Sequence, residues 1–151
     1  MKTYSPKPTD ITRSWYVIDA STAPLGRVAT KTASLLLGKA KPSISPHMDG
    51  GDYVIIINSD QLVVTGNKRS AKTYYRHSGF PGGLSQRSLE EVIQRDSTQA
   101  IIAAVRGMLP VNKLRPGRLE RLKVYGGSEH NHAPQKPVVI SMKSKKGTET
   151  K

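Results

Sequence analysis

Residues 15–58 read WYVIDASTAPLGRVATKTASLLLGKAKPSISPHMDGGDYVIIIN, and the order of patterns inside this stretch decides the fold. WYVID (15–19) is nearly all apolar, as expected of a strand covered on both faces. PLGRVATKTASLLLG (24–38) switches to a three-four spacing. Leu25, Val28, Ala29, Thr32, Leu35 and Leu36 fall on one side of a helix, while Arg27, Thr30 and Lys31 fall away from it. Gly38 supplies a C-terminal stop. After a connection containing Pro42, Pro46 and the Gly50–Gly51 pair, YVIIIN (53–58) is again strand-like. Strand, helix, strand is a crossover unit, so the two strands should lie parallel beneath the helix.

Outward from this unit, LVVT (62–65) reads as a third strand. Its connection to 53–58 is too short for a crossover, so a hairpin or a bend between sheet positions is expected there. Ser88 and Glu91 have capping-box spacing, with Leu89, Val92 and Ile93 following on one face. A helix over 97–109 carries the stripe Ile101, Ile102, Val105, Met108 and Leu109, and Pro110 ends it. Pro116 suits the first turn of a short helix over 116–122. LKVYGG (122–127) reads as a last strand. Residues 1–14 read as an extended arm, 15–137 as one domain, and 138–151 as a basic C-terminal tail. This order gives an α/β fold class: a three-layer α/β/α domain with a small, mainly parallel sheet, plus extended basic loops and tails.

The chain has 151 residues, enough to bury roughly two-thirds of its unfolded surface in one domain without a covalent staple. It has no cysteine, which excludes disulfides, thiolate metal sites and cysteine nucleophiles. No N-terminal apolar run resembles a signal peptide, and the apolar runs are too short to span a membrane. Lys and Arg number 24 against 11 Asp and Glu, a net charge of +13. Such an excess repels itself in the folded state and points to a polyanionic partner. Without a basic amphipathic helix bearing bulky apolar anchors, nucleic acid is favoured over a membrane surface.

Enzyme signatures are missing. DASTAPLGRVA after the first strand has one glycine rather than GxGxxG, and neither GxxxxGK[ST] nor GxSxG occurs. Asp19 at the strand end reads as a turn residue rather than a catalytic acid. His130 and His132 share a face if extended and, with Glu129, form at most half a metal site. No catalytic residue, cofactor, metal or small-molecule substrate is therefore assigned.

The basic residues cluster. GNKRSAKTYYRH groups Lys68, Arg69, Lys72, Arg76 and His77 with Tyr74 and Tyr75 interleaved. KLRPGRLERLK groups Lys113, Arg115, Arg118, Arg121 and Lys123, and GKAKP adds Lys39 and Lys41. Surface charge normally alternates in sign, yet no acidic residue occurs from Gly66 to Gln86. That one-sidedness points to phosphate contact. In an extended segment Tyr74 and Tyr75 point opposite ways, so one can enter the core while the other stacks on a base. The glycines of YYRHSGFPGG (74–83) permit close backbone approach. Such a surface suits irregular folded RNA rather than a duplex groove. No zinc finger, basic region with heptads or evident helix-turn-helix is present.

WYVIDAS, LGRVAT, KPSISPHMDGGDYVIIIN, VTGNK, YYRHSGFPGG, VRGMLPVNKL and LKVYGGSEHNH together resemble the bacterial-type large-subunit ribosomal protein thirteen family, in order from Trp15 to Pro137. The resemblance implies a parallel α/β/α fold and no catalysis. It implies a structural role in the large ribosomal subunit, in a cytoplasmic or organellar ribosome. It also implies binding of large-subunit ribosomal RNA early in assembly, with neighbouring large-subunit ribosomal proteins as partners. Mapped residue by residue, the RNA-facing candidates are Lys39, Lys41, His47, Lys68, Lys72, Tyr75, Arg76, His77, Lys113, Arg118, Lys123, His130 and His132. Arg121 joins them from its basic cluster. The alternatives are a free messenger-RNA-binding translational regulator and a small nucleotide-using enzyme on the same fold.

Overall fold

A computed structural model describes residues 5–142. β1 (Trp15–Asp19), α1 (Leu25–Leu37) and β2 (Tyr53–Ile57) form the expected crossover, with β1 and β2 parallel and Trp15 opposite Tyr53. α1 stops where its glycine predicts: the amides of Gly38 and Lys39 donate to the carbonyls of Leu35 and Ser34, each at 3.0 Å. The chain then returns so tightly that Gly51 lies against the helix end. A Cβ built on Gly51 would sit 1.8 Å from the Leu36 carbonyl oxygen, so only glycine fits.

Residues 62–65 do not form a third strand. Asn58 adopts the left-handed region at φ 57°, and a 3₁₀ turn (Ser59–Gln61) swings the chain off the sheet. Leu62 is buried, and Val63 makes a single parallel bridge to Pro24. Pro24 has no N–H to extend that ladder.

The segment beyond contains α2 (Lys68–Ala71), β3 (Thr73–His77), β4 (Leu84–Ser88), α3 (Leu89–Arg95), α4 (Ser97–Met108) and α5 (Arg115–Glu120). β3 and β4 form an antiparallel hairpin separate from the main sheet. The capping box is present: Ser88 Oγ accepts from the Glu91 amide and Glu91 Oε2 from the Ser88 amide, both at 3.2 Å. Asp96 caps α4 through the Thr98 amide at 3.0 Å.

β5 (Leu122–Val124) and β6 (Val138–Ile140) complete a four-stranded, wholly parallel sheet in the order β5-β2-β1-β6. The sheet therefore extends three residues past position 137, where the tail was expected to begin, because β6 pairs with β1 as its edge strand. The rest of the lysine-rich tail, residues 143–151, lies outside the described residues, as do residues 1–4.

The main core lies on one face of the sheet, where Ile18, Val54, Ile56 and Leu122 meet Val28, Leu36, Leu89, Ile101 and Val105 from the helices. α1 and α4 pack against each other there. The opposite face carries Trp15, Val17, Tyr53 and Ile55 by strand alternation. It is covered by a train of rings. Trp15 stacks on Tyr53 at 4.2 Å, His132 lies 5.0 Å from Trp15 and 6.0 Å from Tyr125, and Tyr125 lies 6.4 Å from His130. The third layer is thus built from the loop 125–136 and its 3₁₀ turn (Ala133–Gln135).

Candidate nucleic-acid interface

The acid-free segment folds into one projecting unit. α2 exposes Lys68 and Arg69, and Lys72 closes it and leads directly into β3. The register pairs Tyr74 with Arg87, Tyr75 with Gln86 and Arg76 with Ser85. Alternation sorts the two tyrosines: Tyr74 packs against the core, with the Lys72 ammonium 5.1 Å from its ring centroid. Tyr75 is turned out and 66% exposed. At the tip, Gly79 and Gly82 hold φ of 91° and 72°, values an L side chain rarely adopts. His77 Nδ1 accepts from the Gly79 amide at 2.9 Å, which ties its ring to the turn. Phe80 is 75% exposed. The tip therefore offers rings and cations together, the combination that stacks on bases while neutralising phosphate.

Lys39 and Lys113 are exposed. His47 is exposed and close to Ser45, 3.1 Å from Nδ1 to the hydroxyl. Lys123 is half-buried on β5, and His130 and His132 are half-buried in the ring train. Among the described residues, no group of three or more His, Cys, Asp or Glu could hold a metal ion.

Three candidates are engaged inside the protein instead. Arg121 binds Asp49 through both terminal nitrogens at 2.6 Å, and Arg118 Nε reaches the same carboxylate at 3.4 Å. The Arg118 and Arg121 side chains are only 4% and 7% exposed. Burial pushes the Asp49 carboxyl upward, but the Arg121 hydrogen bond and the charges of both arginines outweigh it, so it titrates below the usual carboxylate range. Lys41 donates to Asp52 at 2.6 Å, Thr12 O at 2.7 Å and Gly50 O at 3.0 Å. These three cations pin the loop 39–52 and the N-terminal arm to the domain, and Arg118 and Arg121 are nearly buried against Asp49.

Asp19 behaves as a turn residue. It accepts from the Ser21 amide at 2.9 Å, the Ser21 hydroxyl at 2.7 Å and Asn58 Nδ2 at 3.1 Å. Burial raises its carboxyl, but those bonds more than compensate and hold it low. A carboxyl held low stays ionised at neutral pH, which does not suit a general acid.

Two cationic residues near the hairpin escaped the sequence reading. Arg87 faces Tyr74 across the strands, and Arg95 ends α3. Both are exposed, and only the hairpin register and helix packing bring them beside Arg76. The signal available was the short polar run LSQRS, mirroring TYYRH across a Gly- and Pro-rich turn.

The family model for ribosomal protein L13 matches residues 13–131. A large ribosomal subunit protein uL13 from Mycobacteroides abscessus is 52% identical over 143 residues, covering 95% of this chain and 97% of that protein. The Salinispora arenicola protein of the same name is also 52% identical over 143 residues, with the same coverage. That of Lawsonia intracellularis is 47% identical over 142 residues, covering 94% of this chain and 99% of its own length. The chain belongs to the ribosomal protein L13 family. Among the described residues no helix is long and apolar enough to cross a membrane.

Proposed function

We propose that this member of the ribosomal protein L13 family is a structural constituent of the large ribosomal subunit. In this reading it binds large-subunit ribosomal RNA, takes part in early subunit assembly and so supports translation. Neighbouring large-subunit ribosomal proteins are its protein partners. The observation that carries the reading is the acid-free stretch 66–86, folded into a single projecting hairpin with Tyr75, Arg76 and Phe80 in the open. Lys39, His47, Lys68, Lys72, Tyr75, Arg76, His77 and Lys113 form the RNA-facing set, with Lys123, His130 and His132 contributing where their half-buried side chains emerge. Arg118 and Arg121 support the fold behind that surface, and Lys41 anchors the loop that carries His47.

The test is equilibrium binding of the full-length chain to a large-subunit ribosomal RNA transcript. With about six cations releasing counterions, affinity should fall on the order of 10²- to 10³-fold between 50 and 200 mM salt. The double variant K72Q/R76Q should lower the salt slope by about two and leave thermal stability nearly unchanged. An affinity insensitive to salt overturns the RNA reading. Sucrose-gradient fractionation adds the cellular check: a free messenger-RNA regulator would sediment outside ribosomal particles.

A further inference from the structure

We propose that the groove between the inner face of the β3–β4 hairpin and helices α3 and α4 seats an unpaired stretch of RNA, held by Arg87 and Arg95 together with Arg76. The proposal rests on the RNA-binding reading above and adds to it a specific pocket and a nucleotide conformation.

The groove has a volume of about 960 Å³. That lies near the top of the roughly 300–1,000 Å³ that ligand pockets usually span, so it has room for a nucleotide or two. Its hairpin wall carries Tyr74, Arg76 and Arg87. The register puts Tyr74 beside Arg87 and Arg76 two residues further along the same face. Its opposite wall is Arg95 at the end of α3, Asp96 at the junction and Gln99 in the first turn of α4. Among the described residues none of the three guanidiniums is paired with a carboxylate. The nearest acid, Asp96, is engaged by its helix, accepting from the Thr98 amide at 3.0 Å and the Thr98 hydroxyl at 2.6 Å.

The wall chemistry selects the ligand. A duplex backbone would use the arginines alone. A protein segment matching three guanidiniums would have to carry several closely spaced carboxylates. An unpaired nucleotide uses the guanidiniums in two ways, phosphate oxygens pairing with them and a flat base stacking on a guanidinium plane, while Asp96 stays held by Thr98 and Gln99.

Ala103 lies on the helix wall and is exposed, so a photoreactive p-benzoylphenylalanine in its place can report what enters. The full-length chain carrying it is bound to the large-subunit ribosomal RNA transcript, irradiated, and the adducts mapped by reverse-transcription stops. Adducts at unpaired nucleotides are expected. In parallel, R87Q and R95Q should each weaken binding roughly five- to tenfold and lower the salt slope by about one, with unchanged melting temperature. Suppose the unsubstituted chain binds the transcript while R87Q and R95Q bind equally well, or the adducts fall on base-paired nucleotides or are absent. The groove assignment is then wrong and the RNA-binding reading survives. If purified large subunits carrying the probe give adducts to a neighbouring protein instead, the groove is a protein-docking site. If the unsubstituted chain fails to bind the transcript, both fall together.

Discussion

Replacing Asp49 with alanine removes the one carboxylate that, among the described residues, serves two buried guanidiniums. Arg121 would lose two bonds of 2.6 Å and Arg118 a weaker one of 3.4 Å. Among the described residues, Nη1 of Arg118 and Nε of Arg121 are already buried without a hydrogen-bond partner. Arg121 would keep only its bonds to the carbonyls of Gly117 at 3.2 Å and Leu36 at 3.4 Å. Stripping one partner from a buried ion pair costs about 3–5 kcal/mol. Asp49 itself is 16% exposed, and water entering beside the arginines relieves part of that cost, so about 3 kcal/mol is expected. Against a typical total stability of about 5–15 kcal/mol the loss is large, and it should lower the melting temperature by about 6–12 °C. Urea unfolding followed by circular dichroism measures it directly. The companion variant D49A/R118M/R121M should be less destabilised than D49A alone, because it leaves no uncompensated charge. The pH dependence has a definite sign. Because the folded carboxyl titrates below the ordinary range, its stabilisation is complete above about pH 4 and is lost as pH falls through the depressed value. The gap between the native chain and D49A should therefore stay constant from neutral pH down to about 5 and close only in stronger acid. A D49A loss below about 1 kcal/mol, the value of a surface pair, would refute the buried-clamp argument.

Two further outcomes follow from geometry. Gly51→Ala drives a methyl carbon to within 1.8 Å of the Leu36 carbonyl oxygen, so it should cost at least the ~1–3 kcal/mol of ordinary overpacking, read by the same urea titration. Ser88→Ala deletes one half of the capping box and should cost about 1 kcal/mol, with faster amide exchange confined to the first turn of α3.

The crossover was legible because its signals are local. The apolar run at Trp15–Asp19, the one-sided stripe of α1 and the glycine stop each depend on residues within a few positions of one another. LVVT failed for a reason outside itself: its would-be partner is Pro24, which cannot donate. β6 was missed because three residues carry little periodicity, and what makes them a strand is pairing with β1 more than 100 positions earlier. Within the candidate interface, the hairpin's exposed cations and outward Tyr75 were readable from charge and alternation, while Arg87 and Arg95 needed the strand register.

From composition and local pattern alone, this chain declares a parallel α/β core, an excess of positive charge and a basic, glycine-bearing loop suited to RNA. What the chain order could not convey is which cations stay outside. Arg118 and Arg121 look like their neighbours Lys113 and Arg115, but the fold brings Asp49 to them across 69 and 72 residues and seals them in. Charge belongs to a residue and can be counted. Burial and pairing belong to the packed structure, because a carboxylate distant in sequence competes for a guanidinium only once the intervening chain has closed.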